Sequence, residues 1–410
     1  MSEVAQAPHS SPDGRIPQLR FPEFDGVWES RLLKDAVKIN PRSGELPDEF
    51  IYIDLESVKK GYLIKETQIN KIGAPSRAQR LLNKNDVIFQ TVRPYQKNNY
   101  FFNLDGDYVA STGYAQLRVL NSPEFLYQAL HTDRFVYDVM ARSTGTSYPA
   151  INSTDLSKIK LNLPTKPEQQ KIAAFLTAVD NKIEQLSTKQ VLLGEYKKGL
   201  MQQIFSQAIR FKADDGCDFP DWEEKKLGDV CKLQGGYAFK SAEFQKHGIP
   251  IIRISNISNN NDFIDNRNLV YYNEIKNSDK FIIKNGDLIV AMSGATTGKS
   301  SIYNLIEDAY LNQRVGLFKA NNSLLDYGFL IQIVFSYIFA TQLDSVLVAG
   351  AQPNVSSKDI EGFEISLPSK IEQNKIANFL SSIDSKIEQV GKQLDESKQF
   401  KKALLQQMFV

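Results

Sequence analysis

The sequence predicts an α+β protein in which two mixed α/β domains are separated by a long antiparallel two-helix coiled coil, duplicated about a pseudo-two-fold. Three observations carry this. "KPEQQKIAAFLTAVDNKIEQL" (166–186) returns 204 residues later as "KIEQNKIANFLSSIDSKIEQV" (370–390). Apolar residues in both copies recur at heptad spacing. The stretches before each copy carry short β-branched and aromatic runs punctuated by Gly, Asn and Pro.

The repeat orders everything else. Residues 163–205 align with 367–409 without a gap, and 21 of the 43 positions are identical. The period is far longer than that of a solenoid repeat, so the chain is a duplicated domain pair. Weaker echoes lie upstream: "EFLYQAL" (124–130) with "GFLIQIV" (328–334), "WESRLLKDA" from Trp28 with "WEEKKLGDV" from Trp222, and "NKNDVIF" with "KNGDLIV". The helices have stayed alike while the segments before them diverged, which implies one common frame and two different jobs. The predicted division is an N-terminal tail (1–26) whose polar first fifteen residues read as loose, a first domain (27–163), a central helix (164–208), a second domain (209–367) and a C-terminal helix (368–410).

In chain order, "DEFIYIDLESV" and "NDVIFQTVRP" read as strands of the first domain, and "IPIIRISNI" and "GDLIVAMSG" as strands of the second. One apolar helix per domain is expected, around Phe125–Met140 and Phe329–Leu343. Pro164, Pro167 and Pro368 mark helix entries. The first predicted seam runs through Ile172, Leu176, Val179, Ile183 and Leu186, continuing to Lys197 and Ile204. The second runs through Ile376, Leu380, Ile383, Ile387 and Val390, continuing to Lys401 and Met408. The second domain is compact, so the helix end entering it and the helix start leaving it should lie close, making the helices antiparallel with a domain at either end. Thirty-three residues at about 1.5 Å each give a rod of roughly 50 Å. The alternative is two amphipathic helices, each capping its own domain.

Composition is that of an ordinary soluble globular protein, with 42% hydrophobic and 24% charged residues and a net charge of +1. "GFLIQIVFSYIFA" is too short to span a bilayer and reads as buried. Cys217 and Cys231, without a histidine cluster, support neither a disulfide framework nor a zinc site. The cytoplasm is the default compartment. Net charge makes no case for nucleic acid; its distribution gives the first domain a local basic stretch and the second an acidic balance that counts against simple DNA binding there. Residues 59–97 carry nine Lys and Arg against Glu66 and Asp86, whereas residues 215–367 carry 14 basic and 19 acidic residues.

No constellation supports catalysis. "GATTGKS" (294–300) has one residue too few between its glycines for a phosphate-binding P-loop; a turn meeting a DNA phosphate through Lys299 and Ser300 fits it better. "PDWEEK" (220–225) is too compressed for a metal nuclease site and reads as a solvated charge run. "NPRSG" lacks the pattern with which an amino-methyltransferase holds its base. His9, His131 and His247 are scattered, with no nucleophile beside them.

What remains is recognition. Duplex DNA is read by side chains that bond base edges while Lys and Arg neutralise phosphates. "SRAQRLLNKNDVIFQTVRPYQKNN" (76–99) has that mixture, with Arg77, Arg80, Arg93 and Lys97 as candidates. In the second domain the candidates are Tyr237, Lys240, Arg253, Thr297, Lys299 and Arg314. For any one of them an ordinary loop surface is an equal alternative.

This plan resembles the DNA-specificity subunit of type I restriction–modification systems, from about Trp28 to the end. The "LP…EQ.KIA.FL…D.KIEQ" helices, "GGYAFKS", "GDLIVAMSGATTGK" and "QPNVSSKDIEGFEISLP" carry the resemblance. It implies two target-recognition domains, each reading half of a split asymmetric site in double-stranded DNA, with the helices as the ruler between them. It further implies that the seam is the dock for two methyltransferase subunits, joined by two restriction–translocase subunits. S-adenosylmethionine, ATP and Mg would belong to those partners; no cofactor, metal or catalytic residue is expected in this chain. The alternatives are a stand-alone bipartite DNA-binding regulator, which would bind its site tightly alone, and a scaffold without DNA contact.

Overall fold

The computed structural model describes residues 15–257, 262–275, 279–349 and 354–410, so His9 lies outside the described residues. The chain divides into two compact units, Met1–Thr188 with Gly391–Val410, and Lys189–Val390. The long helices run from Lys166 to Phe205 and from Lys370 to Gln407. Each unit therefore holds one mixed domain, the first half of the helix that follows that domain, and the second half of the other helix.

In the first unit, one four-stranded sheet has the order Thr67–Asn70, Glu49–Ile53, Tyr108–Ser111, Ala78–Leu81. A second has the order Val37–Ile39, Tyr114–Val119, Asp86–Gln90, Tyr100–Phe101. Asp86–Gln90 is buried along its whole length. Val87 and Phe89 enter one core with Leu117, Leu126 and Phe135, while Ile88 enters another with Ile53, Phe102 and Tyr114. A strand buried on both faces is why "DVIF" reads as a continuous apolar run rather than an alternating one.

The second unit repeats this wiring. Its sheets have the orders Val270–Tyr272, Ile249–Ile252, Ala309–Leu311, Ile282–Ile283 and Cys231–Gly235, Val315–Ala320, Leu288–Ala291, Ser300–Ile302. Leu288 and Val290 face one core, Ile289 and Ala291 the other. "PDWEEK" proves to be more than a charge run: Glu223–Lys226 is a strand paired with Glu364–Leu367.

Each expected core helix is broken in two. The first becomes Pro123–Ala129 and Asp133–Arg142. The Thr132 hydroxyl donates to the Ala129 carbonyl at 2.8 Å and accepts from the Phe135 amide at 3.3 Å, closing one helix and capping the next. The second becomes Tyr327–Val334 and Tyr337–Ala349, bent by 54°, with the Ser336 hydroxyl on the Ile333 carbonyl. Apolar spacing alone does not show the second break, because apolar residues continue across it from Val334 to Ile338; the first falls at the polar run His131–Arg134. No single helix among the described residues is long and apolar enough to cross a membrane.

The helix pairing is antiparallel within each unit. In the first, Ile172 and Leu176 share a core with Leu404 and Met408, while Lys401 reaches Asp180 at 2.5 Å. Gln128 also donates to Asp180. In the second, Ile376, Leu380 and Ile383 share a core with Met201, Ile204 and Phe205, Lys197 reaches Asp384 at 2.6 Å, and Gln332 donates to Asp384. Lys197 and Lys401, at heptad positions where an apolar residue is usual, are thus satisfied by a carboxylate across the pair. Ile183, Leu186 and Val390 are buried, and Val179 and Ile387 are half-buried. These residues do not form a seam between helices alone. Ile172 and Leu176 also pack on Trp28 and Phe125, and Leu380 shares its core with Phe329. Pairing and capping therefore occur together.

A buried polar knot ties each domain to its helix start. Glu168, 1% exposed, accepts two bonds from the Arg20 guanidinium at 2.8 Å and one from the Trp28 indole at 3.3 Å. Glu372, 0% exposed, accepts from Arg210 and from the Trp222 indole. Arg20 belongs to the N-terminal tail, beyond the residues expected to be loose. The described part of that tail is held: the Trp28 amide donates to the Arg15 carbonyl, the Leu19 amide donates to the Gln407 carbonyl, and Phe21 packs edge-on against Phe175.

Candidate nucleic-acid interface

Both units build a loop cluster on the same hydrogen-bond frame. In the first, the Thr91 amide donates to the Gly113 carbonyl and the Ile151 amide to the Thr91 carbonyl. In the second, Met292 donates to Arg314 and Val355 to Met292 in the same way. The loop after the doubly buried strand is thereby clasped between two others in each unit. A shared frame leaves the exposed side chains of those loops free to differ.

In the first cluster, the Arg77 carbonyl accepts the Thr112 amide at 2.8 Å, which sets Arg77 beside the 111–113 turn. Arg93 holds a left-handed backbone (φ 55°), donates its amide to the Pro149 carbonyl at 2.7 Å, and lies 4.1 Å above the Tyr148 ring. Tyr148, 63% exposed, was not singled out by the sequence; only its Pro-flanked loop hinted at it. Arg80 lies on the neighbouring strand, half-buried, with its Nε buried and unpartnered. Burial pushes its guanidinium pKa down, so a charge is held there at a cost that an anion would offset. Lys97 stands apart from these three. Its ammonium is spent on Asp133 at 2.7 Å and the His131 carbonyl at 2.8 Å.

The second cluster brings together Tyr237, Arg253, Thr297 and Arg314. The Tyr237 amide donates to Leu311 and the Gln313 amide returns to Tyr237, both at 2.8 Å. A Cβ on Gly236 would lie 2.1 Å from the Leu311 oxygen and 2.4 Å from that of Asn312, so only glycine permits this crossing. The Asn312 amide bonds the Ile252 carbonyl, placing Arg253 alongside. Arg253 donates to the Asn268 carbonyl, and its Nε is also buried without a partner. Arg314 reaches the Ser293 hydroxyl at 3.4 Å, and the Thr297 hydroxyl closes the 294–297 turn on the Gly294 carbonyl. Two candidates sit otherwise. Lys299 lines a cavity of about 600 Å³ with Asp262 and Asp344, and Lys240 pairs with Glu243 at 3.4 Å. Ser300, paired with Lys299 in the phosphate reading, begins a strand and has a buried hydroxyl.

Among the described residues, no group of His, Cys, Asp or Glu could hold a metal ion. His131 is half-buried beside Lys97, and His247 is exposed.

The model of the type I restriction modification DNA specificity domain matches this chain twice, at residues 26–193 and 220–396. The chain belongs to that family. Its members supply the DNA sequence recognition of type I restriction–modification systems, and the curated relatives are named specificity subunits rather than catalytic ones. The MjaVIII specificity subunit of Methanocaldococcus jannaschii is 28% identical over 274 residues, 65% of this chain and 64% of that subunit. The HindI specificity subunit of Haemophilus influenzae is 25% identical over 198 residues, 46% of this chain and 40% of that subunit. The chain thus spans less than two thirds of the length of each of these two subunits. The S subunit from M. genitalium shares the fold at 17% identity and a TM-score of 0.63, covering 96% of this chain and 99% of that one. A chain from a structure of type I R-M complex assembly does so at 23% identity and a TM-score of 0.53, covering 92% and 96%. Two specificity domains on one chain match the duplication, and each carries one of the two loop clusters.

Proposed function

We propose that this chain reads a bipartite, asymmetric sequence in double-stranded DNA, one half-site per recognition domain, and assembles the enzymes that act there. The observation that carries it is the pairing of one repeated hydrogen-bond frame with two unlike sets of side chains, none of them fully buried: Arg77, Arg80 and Arg93 with Tyr148 in one unit, Tyr237, Arg253, Thr297 and Arg314 in the other. Identical frames serve a common geometry, and unlike side chains serve unlike sequences. The long helices, each shared between the units, act as the spacer between half-sites.

The repeated helix also suits a partner bound in two copies. Two adenine methyltransferase subunits are expected along the seam, with two restriction–translocase subunits joining them. S-adenosylmethionine, ATP and Mg belong to those partners in this reading, which works in the cytoplasm. Coexpression with the methyltransferase subunit of the same host, followed by mapping of N6-methyladenine across a naive genome, tests it. One two-part motif with a fixed gap is expected. Replacing residues 215–367 with a relative's equivalent should change one half of the motif only. A stable, DNA-bound complex that methylates nothing would favour a stand-alone regulator.

A further inference from the structure

The basic stretch at residues 59–97 is not all spent on the recognition loops. Lys60 and Lys97 both hold left-handed backbones, at φ 50° and 54°, and flank a groove of about 410 Å³ whose other wall is the last part of the second long helix. That wall supplies Lys398, Lys401 and Lys402, and His131 closes the floor. Non-glycine residues stay in this backbone region only where the surrounding structure holds them there. The Lys60 amide is tied to the Asn98 side chain at 2.9 Å, which joins the Lys60 hairpin to the Lys97 loop.

The charges do not cancel. Asp133 is the one acidic residue of the lining, and Lys97 and Gln406 already occupy it. Lys401 is held by Asp180. Lys398 has only a loose 3.9 Å contact with Asp395, both exposed. Lys60 and Lys402 have no ion pair among the described residues. Two ammonium groups, those of Lys60 and Lys402, thus face the groove without an ion pair, and Lys398 joins them with only its loose contact to Asp395. His131 adds no charge at neutral pH, since burial, reinforced by Lys401 and Lys97, pushes its imidazole down to about 4.

This arrangement is not repeated among the described residues of the second unit. There the equivalent of Lys398 is Gly194, and Asp262 feels the charge of Lys197, the equivalent of Lys401. The groove therefore does not follow from the shared helix alone. It needs the first domain's own lysines.

We propose that this groove holds backbone phosphates of duplex DNA, so that the second long helix contacts DNA on the first recognition domain's side. The inference rests on the reading of the chain as a DNA-sequence reader. Two features favour a polymer over a small anion. Lys398 and Lys402 lie about 6 Å apart along the helix, so the two ammonium groups can meet two successive phosphates of one strand. The loop that supplies Lys97 to the groove also supplies Arg93 to the first recognition cluster, so one duplex surface can meet both.

The test is equilibrium binding of the full chain to an arbitrary-sequence duplex, followed against salt. The triple variant Lys60→Gln, Lys398→Gln, Lys402→Gln removes the two unpaired ammonium groups and the loosely paired Lys398, all exposed. The control Lys189→Gln, Lys198→Gln, Lys386→Gln removes as much charge from exposed helix positions of the second unit. Loss of each phosphate contact should make the log–log salt slope shallower by about 0.9, two to three units in all, with the control unchanged. The single variant Lys402→Glu should reproduce part of that change, which guards against a folding defect. Equal changes in groove and control variants, no change in either, or no wild-type binding at low salt would each overturn the proposal. So would inorganic phosphate raising the wild-type melting temperature, but not the triple variant's, while duplex binding stays unaltered; that result assigns the groove to a small anion. The methylation map reads the recognition function separately. A chain that marks a two-part motif but whose groove variants bind like wild type loses this inference alone.

Discussion

Glu168→Gln should destabilise the first unit, and its size can be worked from the structure. Glu168 is buried and accepts both Arg20 bonds and the Trp28 indole. Removing one partner of a buried pair costs about 3–5 kcal/mol. Glutamine keeps one acceptor oxygen, and Arg20 keeps the Gly26 and Asp25 carbonyls, so the lower end, about 3 kcal/mol, is expected. With a urea dependence of about 2 kcal/mol per molar, the midpoint should fall by about 1.5 M. The sequence contains two tryptophans, Trp28 and Trp222, each bonded to one of the two equivalent glutamates. In a Trp222→Phe background, Trp28 fluorescence therefore reports the first unit alone. The double change Arg20→Met with Glu168→Leu should recover part of the loss, because an apolar pair replaces the ion pair and only the Trp28 indole N–H is left without its acceptor. A midpoint shift below about 0.25 M for Glu168→Gln would refute the claim that this knot fastens the domain to its helix.

Three further outcomes follow from the same structure. Ile183→Asp with Ile387→Asp places a carboxylate at two apolar positions of the helix pair, and the methyltransferase subunit should no longer copurify; retained assembly would remove the seam as its dock. Gly236→Ala drives a methyl group into the Leu311 and Asn312 carbonyls, and overpacking of this kind costs about 1–3 kcal/mol. Methylation mapping should show one half-site degraded and the other intact. His131 has a folded pKa of about 4, depressed chiefly by burial and then by Lys401 and Lys97, against about 6.5 when unfolded. The unfolded chain takes up a proton that the native chain does not, so stability falls as pH drops from about 6.5 to 4 and then levels, by up to about 3 kcal/mol. In the Trp222→Phe background, His131→Gln should flatten that part of the profile; an identical profile would show that His131 does not drive it.

The doubly buried strands were legible because "DVIF" and "DLIVA" are short apolar runs fenced by turn residues. The long helices were legible because a heptad repeats over local sequence. The breaks at Thr132 and Ser336 were not, since a capping hydroxyl looks the same on paper whether or not its oxygen meets a backbone group. Of the interface candidates, Arg93, Arg253 and Arg314 sit on clasped loops. Lys97, by contrast, is turned to Asp133 by a left-handed backbone that its sequence does not announce. Tyr148 went unnoticed because its place beside Arg93 depends on a bridge between Val92 and Ala150.

By itself the sequence determined the duplication, the two helix seams, the alternation of domain and helix, and the family. Each of these is written in residues close along the chain or in a copy of them, where periodicity and identity are enough. Only the tertiary structure decided that Arg20 and Arg210 fasten Glu168 and Glu372, that each unit takes half of each helix, and that Lys60 and Lys402 face one groove. Those pairings join residues 148 to more than 300 positions apart. Burial energy selects them from many sterically possible meetings, and no local pattern records which one wins.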